Sequence, residues 1–178
     1  MARYDGLAEF VAAREQALMR SAYLLTGDAH LAEDLLQSAL VRVAVRWQRV
    51  ATSGNPEAYV RKVLYHEHIG WWRSRGRHRD HPSAEPPEPE GHPDFADDSL
   101  RTMMLWQALR RLAPRQRAVI VLRFYEDCSE AETATLLDCS IGTVKSQTHR
   151  ALSRLRALEP GLADLLADAE TATTEVAR

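Results

Sequence analysis

The 178 residues predict an all-α chain: two small helical domains joined by a flexible acidic, Pro-rich linker. Three observations carry that prediction. Apolar residues recur at helical spacing in both halves of the chain. A proline- and acid-rich stretch with almost no apolar residue separates the halves. The second half ends in the spacing of a helix-turn-helix followed by a basic helix. The expected division is 1–78 for the first domain, 79–98 for the linker, 99–158 for the second domain and 159–178 for a tail.

The first helix lies in "LAEFVAAREQALMRSAYLL", where Phe10, Val11, Leu18, Ala22 and Leu25 form an apolar stripe. "TGD" at 26–28 breaks it, and Asp28 is suited to cap the next helix. That helix, "AHLAEDLLQSALVRVAVRW", places Leu31, Leu35, Ala39, Val43 and Trp47 on one face. "QRVATSG" reads as a loop. Asn55 then caps a helix with Pro56 at its first position, where a missing N–H costs nothing.

The segment "DHPSAEPPEPEGHPDFADDS" at 80–99 cannot bury enough apolar surface to offset its ordering entropy. Its prolines favour extended backbone, which makes it a semi-stiff spacer. It also concentrates the charge. Residues 78–98 hold one Arg against seven acids, net −6. Residues 1–77 hold 11 Lys and Arg against 8 acids, net +3, and residues 99–178 hold 11 against 10, net +1. The overall charge of −2 therefore leaves room for a phosphate-binding face on either domain.

In the second domain "SLRTMMLWQALRRLA" carries Leu105, Leu109 and Leu112 at helical spacing. Pro114 restarts the chain into "RQRAVIVLRFYED". The run Val119–Leu122 could alone be a strand, but between helices rich in Ala and Arg it reads as buried helix. Ser129 and Glu132 form a capping box that opens a short helix through Leu137. Asp138 and Cys139 occupy the turn, and Asp tolerates the left-handed conformation better than most side chains. Ser140 caps the next helix. Small Ala134 and apolar Val144, ten residues apart, sit where the two helices of such a motif cross.

The closing helix sorts into two faces. Val144, Thr148, Ala151, Leu152 and Leu155 look inward; Lys145, Ser146, His149, Arg150 and Arg154 look outward. An isolated basic helix is usually just a solvated face. Behind a capped helix, a turn and a matched small/apolar pair, DNA reading is the better account. Lys and Arg suit phosphates and guanine edges, and Ser and His hydrogen-bond to either.

These motifs resemble the extracytoplasmic-function sigma factors of bacterial RNA polymerase. "LAPRQRAVIVLRFYEDCSEAETATLLDCSIGTVKSQTHRALSRLR" resembles their region 4, "AEDLLQSALVRVAVRW" region 2.2, and "NPEAYVRKVLYHEHIGWWRSRGR" regions 2.3–2.4. The likeness spans about residues 5–157. With "YLLTGD", "AEDLLQ" and "EAETA" it is greatest to the small actinobacterial-type group.

The resemblance implies a non-enzymatic promoter-specificity factor that binds core RNA polymerase and directs initiation at −10 and −35 elements. It implies that Asp34, Leu36 and Gln37 dock on the coiled coil of the β′ clamp, with Leu35 turned to the core, and that the β flap is a second contact. For −10 recognition and melting it implies Arg49, Arg61, Lys62, Tyr65, His66, Trp72 and Arg73. A basic groove with aromatic faces is what unpaired DNA requires. Tyr59 and Trp71 are better placed as packing residues. For −35 readout it implies Lys145, Ser146, His149, Arg150 and Arg154, with Arg115, Arg117 and Arg123 meeting phosphates. His66 stands where many relatives carry Asn, Asp138 where they carry a turn Gly, and Thr148 where they carry a long aliphatic residue. An anti-sigma protein is a common partner in the family.

Other function classes find little support. "HEH" at 66–68 is not HExxH, and its two His lie on different helix faces. Cys128 and Cys139 lack zinc-site pairing and make no disulfide framework; small apolar positions beside the helix-turn-helix suit them. No metal or cofactor is expected. No run of about 18 apolar residues exists to cross a membrane, and the start lacks a signal core, so the cytoplasm is the expected compartment. The main alternative is a dimeric helix-turn-helix regulator that binds duplex DNA without polymerase.

Overall fold

The computed structural model describes residues 4–77 and 100–158, all of whose regular elements are helical. The expected linker and tail, at 79–98 and 159–178, lie outside the described residues, as do His78, His81 and His92. The chain divides into two compact units, Met1–Asp94 and Phe95–Arg178.

The first unit holds α1 (Leu7–Thr26), α2 (Ala29–Val45), α3 (Trp47–Thr52) and α4 (Pro56–Arg77). Gly27 ends α1 in the left-handed region at φ 72°, and its N–H returns to the Tyr23 carbonyl at 2.7 Å. The Asp28 carboxylate then accepts from the Leu31 N–H at 2.9 Å and caps α2. Asn55 does the same for α4 through the Ala58 N–H at 3.0 Å. α2 packs on both α1 and α4. The core between them is Leu18, Leu25, Leu35, Val43, Val60 and Leu64.

Two expectations need correction here. The segment expected as a loop at 48–54 folds mostly as α3, and α2 stops at Val45 rather than running on to Trp47. The reason is local packing. Trp47 is buried, donates from Nε1 to the Asp5 carbonyl at 2.7 Å, and meets the Phe10 ring at 5.3 Å. Val50, one turn on, is buried as well. Those two side chains give a six-residue segment an apolar face without a long periodic pattern to announce it.

The second unit holds α5 (Leu100–Arg110), α6 (Pro114–Ile120), a π-helical turn (Val121–Tyr125), α7 (Glu130–Leu137) and α8 (Ile141–Leu158). Val119, Ile120, Val121 and Leu122 are all buried, as the apolar run requires. The helix widens at Val121, whose carbonyl accepts from the Glu126 N–H five residues on at 3.0 Å. α8 packs against α5, α6 and α7 and closes the unit.

Candidate nucleic-acid interface

The helix-turn-helix is built by reciprocal caps. The Ser129 hydroxyl accepts from the Glu132 N–H at 3.2 Å, and the Glu132 carboxylate accepts from the Ser129 N–H at 2.8 Å. Those bonds, to the backbone first and the side chain second, hold the Glu132 carboxyl below its usual value. Asp138 ends α7 at φ 51°, ψ 54°, so the turn takes the left-handed conformation without glycine. The Ser140 hydroxyl accepts from the Thr143 N–H at 3.1 Å and caps α8. Ala134 and Val144 are buried at the crossing.

α8 presents the two faces expected of it. Val144, Thr148, Ala151, Leu152 and Leu155 are buried; Lys145, Ser146, His149, Arg150 and Arg154 are exposed. Thr148 satisfies its buried hydroxyl on the Val144 carbonyl at 2.9 Å, so a polar side chain is held on the inner face. Lys145 Nζ lies 3.5 Å from the Glu130 carboxylate of α7. Ser146 turns its hydroxyl back to the Thr143 carbonyl at 3.0 Å, leaving acceptor capacity outward.

His149, Arg150 and Arg154 also line an open groove of about 700 Å³ whose far wall is the α5–α6 turn, with Arg111 and Gln116. Neither wall residue was singled out from the sequence. Arg111 directly follows the last residue of α5, where it had no motif to mark it.

Of the arginines expected to meet phosphates, Arg115 is exposed, and Arg123 donates from Nη1 to the Cys128 carbonyl at 2.6 Å. Arg117 is only 4 % exposed. It donates from Nε to Leu109 and from Nη2 to Arg110, capping the end of α5 from within. Its guanidinium is pushed down to about 10 by burial and by the neighbouring Arg110 charge. Arg117 is thus an internal strut and not a phosphate contact.

On the first unit the expected residues separate. Lys62 and His66, four apart on α4, line one pocket with Arg42, Arg46 and Tyr59. Arg46 donates to the Tyr59 hydroxyl at 3.3 Å, and Arg42 pairs with Glu67 at 2.8 Å. Arg73, three turns along, is exposed on the same side of the helix. Arg61 lies elsewhere, 3.1 Å from Glu57, which also holds Arg14 of α1 at 3.2 Å. Arg49 is exposed on α3, and Trp72 is half-buried. Tyr65 is fully buried and offers DNA no ring face, because its position on α4 faces the core beside Leu64 and His68. Arg42 and Arg46 were not singled out beforehand; only the packing of α2 on α4 brings them to Lys62.

Asp34 and Gln37 are exposed on α2. Leu36 is 3 % exposed and packs inward with Leu35, so it cannot dock a partner in this arrangement. The outer stripe continues instead into Val41 and Val45, which are 65 % and 61 % exposed. Val41 follows Gln37 by one turn and Val45 follows Val41 by another, a spacing visible in the sequence.

The comparisons with known proteins agree with this organisation. The family model "Sigma-70 region 2" matches residues 10–78, and "Sigma-70, region 4" matches residues 102–155. The chain is 43% identical over 148 residues to an RNA polymerase sigma-E factor of Streptomyces avermitilis, covering 83% of this chain and 82% of that protein. It is 34% identical over 175 residues to the ECF RNA polymerase sigma factor SigL of Mycobacterium tuberculosis, covering 88% and 94%. Among solved structures it is similar to the sigma factor RpoE of Bartonella quintana, crystallised in complex with the anti-sigma factor NepR. The TM-score is 0.69 at 28% identity, covering 85% of this chain and 95% of that one.

Proposed function

The chain belongs to the sigma-70 family of RNA polymerase sigma factors, in the extracytoplasmic-function group, and from that membership we propose how its surfaces divide the work of promoter recognition. It is a promoter-specificity factor that binds core RNA polymerase and directs initiation at −10 and −35 elements. It acts by binding rather than by covalent chemistry. An anti-sigma protein, of the kind that accompanies the Bartonella neighbour, is a candidate partner.

The observation that carries the residue-level reading is the exposed face of α8 behind a capped helix and a left-handed turn. Lys145, Ser146 and His149 occupy the N-terminal half of that helix, the half a helix-turn-helix inserts into the major groove, and Arg150 directly follows it. Arg154 falls beyond it and suits a phosphate. On the first unit, Lys62 and Arg73, with Arg49 on α3, offer cations for the −10 strand, and His66 offers a hydrogen-bonding ring beside Lys62. Asp34 and Gln37 are assigned to the β′ clamp. No helix among the described residues is long and apolar enough to cross a membrane.

The test is transcription in vitro with added core polymerase on a library of promoter variants. The expected result is core-dependent initiation that depends on bases at both elements. Duplex binding as a dimer without polymerase, and no core-dependent transcript, would replace this reading with that of a stand-alone regulator.

A further inference from the structure

The groove between the α5–α6 turn and α8 is cationic on both walls. Arg111 comes from one side, Arg150 and Arg154 from the other, with His149 beside them. No carboxylate lines it. Among the described residues none of these three arginines is held in an ion pair, although Lys145, Arg42, Arg61 and Arg14 all are. Three unneutralised guanidinium groups converging on one groove repel one another, so the free protein gains nothing from the arrangement. Small side chains, Ser153 and Ala157, stand one turn apart on the α8 wall and leave the space between the arginines open.

We infer that this groove is a phosphate track, with Arg111 as its outer anchor, that grips the DNA backbone flanking the bases read by α8. The proposal rests on the sigma-factor reading and adds a contact from outside the helix-turn-helix. An open groove with fork-shaped donors on both sides suits a phosphodiester strand, which needs charge along a line and no pocket for a base. The division of labour follows from position. Arg150 is near enough to the N-terminal half of α8 to serve both base and strand. Arg111 reaches only the strand, so it adds affinity and fixes register without adding sequence preference.

The test uses the full chain bound to core polymerase and a promoter fragment with its −35 element, and compares Arg111→Gln with wild type across salt. Neutralising one phosphate contact should lower the slope of log affinity against log salt by about one unit. The advantage of wild type over the variant should then shrink roughly 3.5-fold between about 50 and 200 mM salt. The loss should be equal on every single-base −35 variant. A methylphosphonate linkage, stepped along the flanking backbone, should weaken wild type at one phosphate and leave the variant indifferent there. Ser153→Glu, which sets a carboxylate into the groove, should weaken the complex further.

An unchanged salt slope and an unchanged methylphosphonate pattern in Arg111→Gln would overturn the proposal. So would a loss of affinity for core polymerase measured without DNA, which would make the occupant an acidic protein segment. Arg150→Ala run alongside separates the two levels. If it alters −35 preference while Arg111→Gln does nothing, the track is wrong and the sigma-factor reading stands. If wild type itself gives no core-dependent transcript, that reading has failed on its own account.

Discussion

The guanidinium of Arg117 donates from Nε to the carbonyl oxygen of Leu109 at 2.7 Å, tying the start of one helix to the end of the one before it. Its second bond reaches the Arg110 carbonyl at 2.6 Å, one of the last of α5 and beyond its intrahelical N–H groups, while the Leu109 carbonyl is shared with the Leu112 N–H at 3.1 Å. Arg117→Met should therefore destabilise the second unit by about 1–3 kcal/mol, because the Arg110 carbonyl loses its donor and the Leu109 carbonyl one of two. Urea unfolding of the full chain measures this. A loss below about 1 kcal/mol would mean that water replaces the guanidinium at no cost.

The Lys145–Glu130 pair, at 3.5 Å with Lys145 exposed and Glu130 partly so, should contribute little to stability. Its effect should appear on DNA. Glu130→Gln releases Lys145 and removes an acid from the first turn of α7. We predict an unchanged melting temperature, tighter binding to all duplexes and a weaker preference for the −35 element. Unaltered discrimination in a competition assay would show that Lys145 needs no orienting partner.

The Ser129–Glu132 capping box makes the second unit sensitive to acid. The Glu132 carboxyl titrates below its unfolded value of 4.5, so its contribution is complete above that pH and is lost as pH falls through the lower folded value. Glu132→Gln should flatten that part of the stability profile. Thermal melts of both proteins from neutral pH down to about pH 3 read the difference. Parallel profiles would assign the acid sensitivity to other carboxylates.

Tyr65 and His66 are neighbours in sequence with opposite environments. Tyr65→Ala should cost about 3–5 kcal/mol, the range for truncating a buried aromatic side chain. His66→Ala should leave the melting temperature within about 0.5 kcal/mol equivalent and change promoter opening, followed by permanganate reactivity of the −10 strand. If opening is untouched in His66→Ala, the cations around that pocket serve some other partner.

Asp34→Ala with Gln37→Ala should weaken core polymerase binding and preserve helix content. Leu36→Ala should instead destabilise the first unit by about 2–5 kcal/mol. A titration against core polymerase together with circular dichroism separates the two effects. Equal core affinity for wild type and the Asp34/Gln37 double variant would move the clamp contact off this face.

Much of this was legible in the sequence because the signals are local. The caps at Asp28, Asn55, Ser129 and Ser140 each need only one residue and an N–H three positions on. The two faces of α8 follow from its period alone. What was not legible depends on partners remote in sequence. Arg117 carries the same charge as Arg115, and only the turn between α5 and α6 brings one guanidinium to the carbonyls that end α5 and leaves the other at the surface. Tyr65 fits the chemistry of a stacking platform, yet its angular position on α4 faces the core. Arg111 drew no notice because the groove it walls exists only once α8 folds back against the α5–α6 turn.

The wide turn at Val121–Tyr125 sets the phase of everything after it. An α-helix advances about 100° per residue, so the additional residue held in that turn fixes the azimuth at which the chain leaves the helix. Beyond that turn the Cys128 N–H reaches the Leu122 carbonyl at 2.9 Å, and from there the chain enters the Ser129 cap. Deleting one residue within 121–125 would keep nearly all the apolar character and restore an ordinary helix. It would also turn the departing chain about a quarter-circle away from α8. The length of this segment is therefore constrained more tightly than its composition: exchange of one aliphatic for another is tolerable there, and a one-codon deletion is not.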